Sequence, residues 1–221
     1  MGSLRAPFFL ILIMPIPTTN ATQELPAVNQ ILASVGQAPV TSLDQTNPDV
    51  AIAYDTLLTV SREVQAEGWA FNTEFDKPEI TDVNKQFSIP NNMLQVDLTT
   101  DSANAYKNVV RRDGKLYDKY NHKFEITDGA GEEIRLDIVW LFDWVDLPIP
   151  IQDYIVARAA VIVSSRIVGD GGQYQMLQQK EAYTRAMALE YECNQGDYTF
   201  FGTPAGQSNY ISYKPYHALY R

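Results

Sequence analysis

The chain has 221 residues, of which 45% are hydrophobic, 20% charged and 11% aromatic, a composition that excludes wholesale disorder. Its 27 acidic residues against 17 basic ones leave a net charge of −10, which excludes nucleic-acid binding through the overall field, since phosphate contacts need clustered Lys and Arg. A single cysteine, Cys193, excludes an internal disulfide framework, and with only His122 and His217 besides, a zinc site of the usual Cys/His spacing is excluded too.

The acidity is uneven. Residues 1–105 carry 12 Asp/Glu and 4 Lys/Arg, residues 106–135 carry 6 and 7, and residues 136–221 carry 9 and 6. The near-neutral middle coincides with the most strand-like part of the chain, which predicts an insert of different architecture. No stretch reaches the roughly 18 apolar residues of a membrane span, so no membrane partner is expected.

Residues 1–21 carry one Arg and then the apolar run Phe8 to Met14, close to a secretory signal, but the run is short and ends in Pro15 and Pro17. Ala6 stands where a myristoylation signal has Ser or Thr. The segment reads as an arm, residues 1–23, packing on a neighbour, or as sequence upstream of a natural start at Met14. Residues 24–35 form the first predicted helix, with Pro26 in its first turn, Gly36 after its last, and a stripe of Leu25, Val28, Ile31, Leu32 and Val35. Asn47-Pro48 opens a second helix, running to about residue 67 with Gly68 as stop and a stripe of Val50, Tyr54, Leu57, Leu58 and Val64. Trp69, Phe71 and Phe75 then begin an aromatic strand region. Asp113-Gly114 marks a tight hairpin between Val109–Arg112 and Lys115-Leu116-Tyr117. Asp128-Gly129-Ala130-Gly131 marks a looser turn, after which Ile134, Leu136, Ile138, Trp140 and Phe142 alternate as in a strand with one buried face.

A third helix over about 151–168 is apolar almost all round, at Ile155, Val156, Ala159, Ala160, Ile162 and Val163, so a neighbouring subunit is expected to help cover Ile155, Ala159, Ile162 and Val163. A fourth, to about residue 194, has the stripe Ala182, Ala186, Leu189 and Cys193. The last 25 residues carry Tyr198, Phe200, Phe201, Tyr210, Tyr213, Tyr216 and Tyr220 without a helix or strand period, which predicts an extended arm ordered by a partner. The predicted fold class is α+β: a bundle from the N- and C-terminal helix pairs (24–68 and 147–196), a small antiparallel β insert (69–146) and an extended tail (197–221).

Motifs for chemistry are few. No Walker loop or Gly-x-Ser-x-Gly elbow occurs, and no cofactor is implied. Gly169-Asp170-Gly171-Gly172 before a helix offers amides to an anion, but reads more simply as an inter-helix joint. Cys193, on an apolar stripe, reads as buried and structural. His122 and His217 read as solvated. Glu132, Glu133, Asp137, Asp143 and Asp146 lie near one strand, where two carboxylates would form a glycosidase pair or the whole set a solvated acidic face. Arg111, Arg112 and Lys115 on the hairpin, with Tyr117 and Tyr120, would touch a phosphate backbone or an acidic partner, or guard a sheet edge.

Glu24-Leu25-x-Ala27-Val28-Asn29-x-Ile31-Leu32-Ala33-Ser34-x-Gly36-x-x-Pro39-Val40 resembles the opening of the tail tubular protein A family, the portal-to-nozzle adaptor rings of short-tailed podophages of the T-seven type. The likeness continues at Gly68-Trp69-x-Phe71-Asn72-x-Glu74, Gly114-x-x-Tyr117-Asp118, Glu190-Tyr191-Glu192 and Gly196-x-Tyr198. The resemblance implies a structural virion protein and no enzyme: a ring of twelve copies between the capsid portal and the tail nozzle, assembled in the host cytoplasm. Such a ring continues the channel through which DNA is ejected, and its acidic wall would let the duplex slide without specific binding. The tail aromatics would then dock the portal. Two other classes compete with this reading, a polysaccharide hydrolase acting on host surface glycans and a plain acidic binding module.

Overall fold

This computed structural model describes residues 21–44, 46–99 and 107–196. Helix α1, Ala21–Ser34, starts three residues earlier than the sequence predicts, so Pro26 lies inside it. The carbonyl that Pro26 leaves without a donor is that of Thr22 in the first turn, where a missing bond costs little. At the other end Gln37 N donates to Leu32 O at 3.0 Å and Gly36 N to Ala33 O at 3.2 Å, with Gly36 at φ +80°, a left-handed cap that suits glycine. Asn47 caps α2, Pro48–Gln65, by accepting from Asp49 N at 3.0 Å.

The expectation for Trp69 and Phe71 needs correcting. They do not open a strand but pack on the helical core, and the Trp69 indole donates to Val64 O at 2.6 Å. Strand β1, Thr73–Ile80, begins only after them, and Phe75 within it is exposed. Strand β2, Met93–Leu98, was not foreseen, because its burial follows from pairing and not from a clean alternation in its own sequence. β3, Val109–Arg112, and β4, Lys115–Asp118, make the expected hairpin, with Asp113 at φ 52° and Gly114 at φ 69° in the tight turn. β5, Glu133–Trp140, is the central strand of an antiparallel sheet of order β1-β5-β2. Its residues Ile134, Leu136, Ile138 and Trp140 are buried together with Phe87, Ile89, Met93, Leu98, Val109, Leu116 and Ile126.

A short 3-10 turn, Trp144–Asp146, leads into α3, Ile149–Ile167, which is followed by α4, Gly171–Gln195. The protein is therefore α+β, with four helices and two small antiparallel sheets among the described residues. α3 packs against α1, α2 and α4. Ile155, Ala159 and Val163 are completely buried in this core and Ile162 is partly buried, so three of the four residues expected at a subunit contact are covered by the chain itself, while Ile149 at the start of α3 is exposed.

Two buried amides join the helical core to the strands. Asn72 Nδ2 donates to Gln65 O at 2.9 Å and to Trp140 O at 2.8 Å, while its Oδ1 accepts from Trp69 N at 2.8 Å. The Gln65 side chain donates to Phe142 O at 3.2 Å and accepts from Phe142 N at 2.8 Å. The chain thus leaves α2 and returns from β5 through one hydrogen-bonded junction. Asn72→Ala would take the side-chain partner from buried Trp69 N and Trp140 O, while Gln65 O keeps its bond from Gly68 N at 3.2 Å, and a loss of roughly 2 kcal/mol is expected. Urea denaturation would show it as a lower midpoint with an unchanged slope.

Candidate functional site

The hairpin cations are engaged by the chain itself. Arg111 donates to Met93 O at 3.1 Å and, at 3.5 Å, to Asn91 Oδ1. The Arg112 guanidinium lies 4.0 Å from the centre of the Tyr117 ring, and Lys115 donates to Gln86 Oε1 at 2.7 Å. They stiffen the hairpin and tie it to the segment before β2.

The carboxylates on β5 itself do not converge. Glu133, Arg135 and Asp137 share the face of β5 opposite its buried residues, and Arg135 pairs with Glu133 at 2.9 Å and with Asp76 at 3.0 Å. Asp137 accepts from Asp76 N at 3.0 Å and from Thr99 Oγ1 at 2.7 Å, so it holds the β-bulge at which Asp76 takes φ 55°. At about 3.3 Å per residue Glu133 and Asp137 are roughly 13 Å apart along the strand, too far for either glycosidase geometry. Asp143 precedes the 3-10 turn and Asp146 is its last residue, beyond the end of β5. Among the described residues no group of three or more His, Cys, Asp and Glu could hold a metal ion, and no helix is long and apolar enough to cross a membrane.

The glycine-rich joint is closed to anions. Asp170 caps α4 by accepting from Gly172 N at 3.1 Å and from Gln173 N at 3.4 Å, so a carboxylate of the chain already occupies the position an anion would take. α4 itself corrects the predicted stripe. Its fully buried residues are Thr184 and Ala188, whereas Ala182, Ala186, Leu189 and Cys193 are exposed. The inward line runs through Tyr174, Leu177, Glu181, Thr184, Ala188 and Tyr191, at alternating spacings of three and four. It prevails because α3 is the helix against which α4 packs, and the close crossing accepts small Thr184 and Ala188. Cys193 is therefore not a buried structural thiol. His122 is exposed at a turn, at φ 56°. The proposed docking aromatics Tyr198, Phe200, Phe201, Tyr210, Tyr213, Tyr216 and Tyr220 lie outside the described residues, as does His217.

One acid has an environment that the sequence does not reveal, Glu24, which there opens a helix and the stretch of family likeness. It is almost fully buried in the first turn of α1, with Oε2 lacking any hydrogen-bond partner. Burial raises its pKa, the nearby Asp143 raises it further, and a hydrogen bond with Tyr54 opposes both. Asp143 is raised too, by burial and then by Asp146. Asp118 shows the opposite balance: burial pushes its pKa up, but hydrogen bonds from Tyr120 N and from Asn121 outweigh that and hold it low.

Comparison with known proteins gives a consistent result. The model of the tail tubular protein family matches residues 25–198. The protein named tail tubular protein A of Klebsiella phage KP34 is 28% identical over 181 residues, covering 78% of this chain and 89% of that protein. Several residues that carry the sequence likeness act as fasteners of the backbone. Asn29 clamps Val40, donating to its O at 3.0 Å and accepting from its N at 2.8 Å. Glu74 accepts from the Trp140 indole at 2.9 Å. Both carboxylate oxygens of Glu192 accept from Ala70 N at 2.9 Å, tying the end of α4 to the segment after α2.

The Glu24 pair makes a pH prediction with a definite sign. An acid whose pKa is raised by folding holds its proton longer in the native state, so stability falls as pH rises from the ordinary carboxylate range through the raised native value. Glu24→Gln removes that penalty. The variant should melt higher than the wild type near pH 7, with the difference shrinking as pH falls towards about 4, as thermal scans by circular dichroism would show.

Proposed function

The chain belongs to the tail tubular protein family and is a structural component of a phage tail; from that premise we propose that it forms the adaptor ring joining the capsid portal to the tail nozzle. The observation that carries the reading is the extent of the family match, which runs through the helical core and the strands alike, from residue 25 to residue 198. In this reading twelve copies assemble in the host cytoplasm. Helix pairs 24–68 and 147–196 act as a bundle and 69–146 as a β insert, with the tail 197–221 reaching the portal through Tyr198, Phe200, Phe201, Tyr210, Tyr213, Tyr216 and Tyr220.

The chemistry of the chain supports this. A net charge of −10 disfavours adhesion of a passing duplex, so DNA would traverse the ring without specific binding. Of the carboxylates a catalytic reading would draw on, Glu132, Glu133, Asp137, Asp143 and Asp146, Glu133 is engaged in an ion pair and Asp137 in the bulge.

Negative-stain microscopy of the purified protein, alone and with portal rings, tests the proposal; closed rings that seat on the portal are expected, and a dispersed monomer in both samples would overturn it. Asp143→Asn and Glu133→Gln should leave assembly and infectivity near wild type. Loss of a glycan-cleaving activity in either variant, with assembly intact, would restore the hydrolase reading. Truncation after Gly202 should give a folded protein that co-sediments with portal much more weakly, and equal binding would remove the tail from the docking role.

A further inference from the structure

We propose that the outer face of α4 is the surface by which one copy of the chain meets the next; this rests on the ring reading and gives it a location. α4 packs inward on α3 through Thr184 and Ala188, which leaves the opposite side of a helix of 25 residues unpartnered among the described residues. On that side lie two adjacent apolar lines. One is Ala182, Ala186, Leu189 and Cys193, at spacings of four, three and four; the other is Met176, Tyr183 and Met187, at seven and four. Met176 is 73% exposed, Tyr183 67%, Met187 43% and Leu189 45%.

Three observations select a second copy as the occupant. The first is area: with the small residues between them, these side chains present on the order of 500 Å² of apolar surface, the size of the largest patch on a typical monomer, which is often a functional one, and a large part of the roughly 800 Å² per partner of a standard interface. The second is charge. Two copies at −10 each repel, so self-association has to use a surface poor in acids. Within the arc spanned by the two lines, Glu190 is the one charged residue, the other polar residues there being Gln175, Gln179 and Asn194. Methionine and tyrosine with few charges are the composition of an interface core, and the lack of Lys and Arg in the arc argues against phosphate. The third is comparison: most apolar residues of the other markedly apolar helix, α3, are buried in the chain, with Ile149 at its N-terminal end exposed and Ile162 and Ile167 partly so. In a closed ring this contact is heterologous, so the α4 face of one copy meets a different surface on its neighbour.

The test uses the full-length protein. Met187→Glu places a charge in the centre of the face, while Val83→Glu, at a residue 83% exposed elsewhere, serves as control. Mass photometry over a concentration series should show the wild type and V83E as rings and M187E shifted towards monomer by about tenfold or more in concentration, with helix content unchanged by circular dichroism. Cys193, the single thiol and part of the face, should react with a maleimide about tenfold more slowly in the assembled wild type than in M187E. Rings that M187E leaves intact, or a Cys193 that labels equally fast in ring and monomer, would overturn the α4 assignment alone. A wild type that stays monomeric with and without portal would overturn the ring reading together with it.

Discussion

Asn72 spends every hydrogen-bonding group it has at one point of the chain. Its side chain spans Gln65 O and Trp140 O and receives Trp69 N, while its own carbonyl accepts from Trp140 N at 2.8 Å. With Gln65 reaching Phe142 from the other side, the last turn of α2, the start of β1 and the end of β5 are fastened before any apolar contact is counted. An amide buried to this extent is costly unless satisfied, and here each partner is itself a buried backbone group that needs satisfying. The two apolar clusters meet across this junction: Phe142 packs against both, and Trp69 enters the helical one.

Around that junction, charge is used locally. The cations of the β-rich region stiffen its own turns and edges. Arg135 braces Glu133 and Asp76, and Lys77 pairs with Glu74 at 3.0 Å while lying 4.4 Å from the centre of the Trp140 ring. Such exposed pairs contribute little energy each, so their role is to orient strands and protect sheet edges. Glu24 differs, because its carboxylate is buried without a full set of partners and faces a second acid. The start of α1 and the segment entering the 3-10 turn thus meet at an electrostatic cost that shrinks as the acids protonate.

Apolar surface is distributed unequally between the last two helices. α3 packs against α1, α2 and α4 and buries most of its apolar residues, Ile149 at its start being exposed, whereas α4 lends α3 a narrow line of small side chains and keeps its methionines outside. The helix that looks sticky in sequence is thus the one that is satisfied. The helix that looks polar, with its run of glutamines, carries the exposed face.

The amino-acid sequence by itself determined the helices with strong ends, the Asp113-Gly114 hairpin and the alternation of β5. These follow from short-range rules: a capping side chain, a glycine able to take positive φ, a period of two. The residues that carried the family likeness were legible as well, although their work as fasteners was not, since Asn72 to Trp140 and Glu192 to Ala70 bridge positions far apart in the chain. Only the tertiary structure decided which face of α4 turns inward, that Cys193 is exposed, that Trp69 belongs to the helices and that β2 is a strand. In each case the sequence pattern permits either side, and the answer comes from which neighbour has room and which backbone groups remain to be paired. That information resides in contacts between distant segments, where burial and hydrogen-bond satisfaction are settled jointly and not one element at a time.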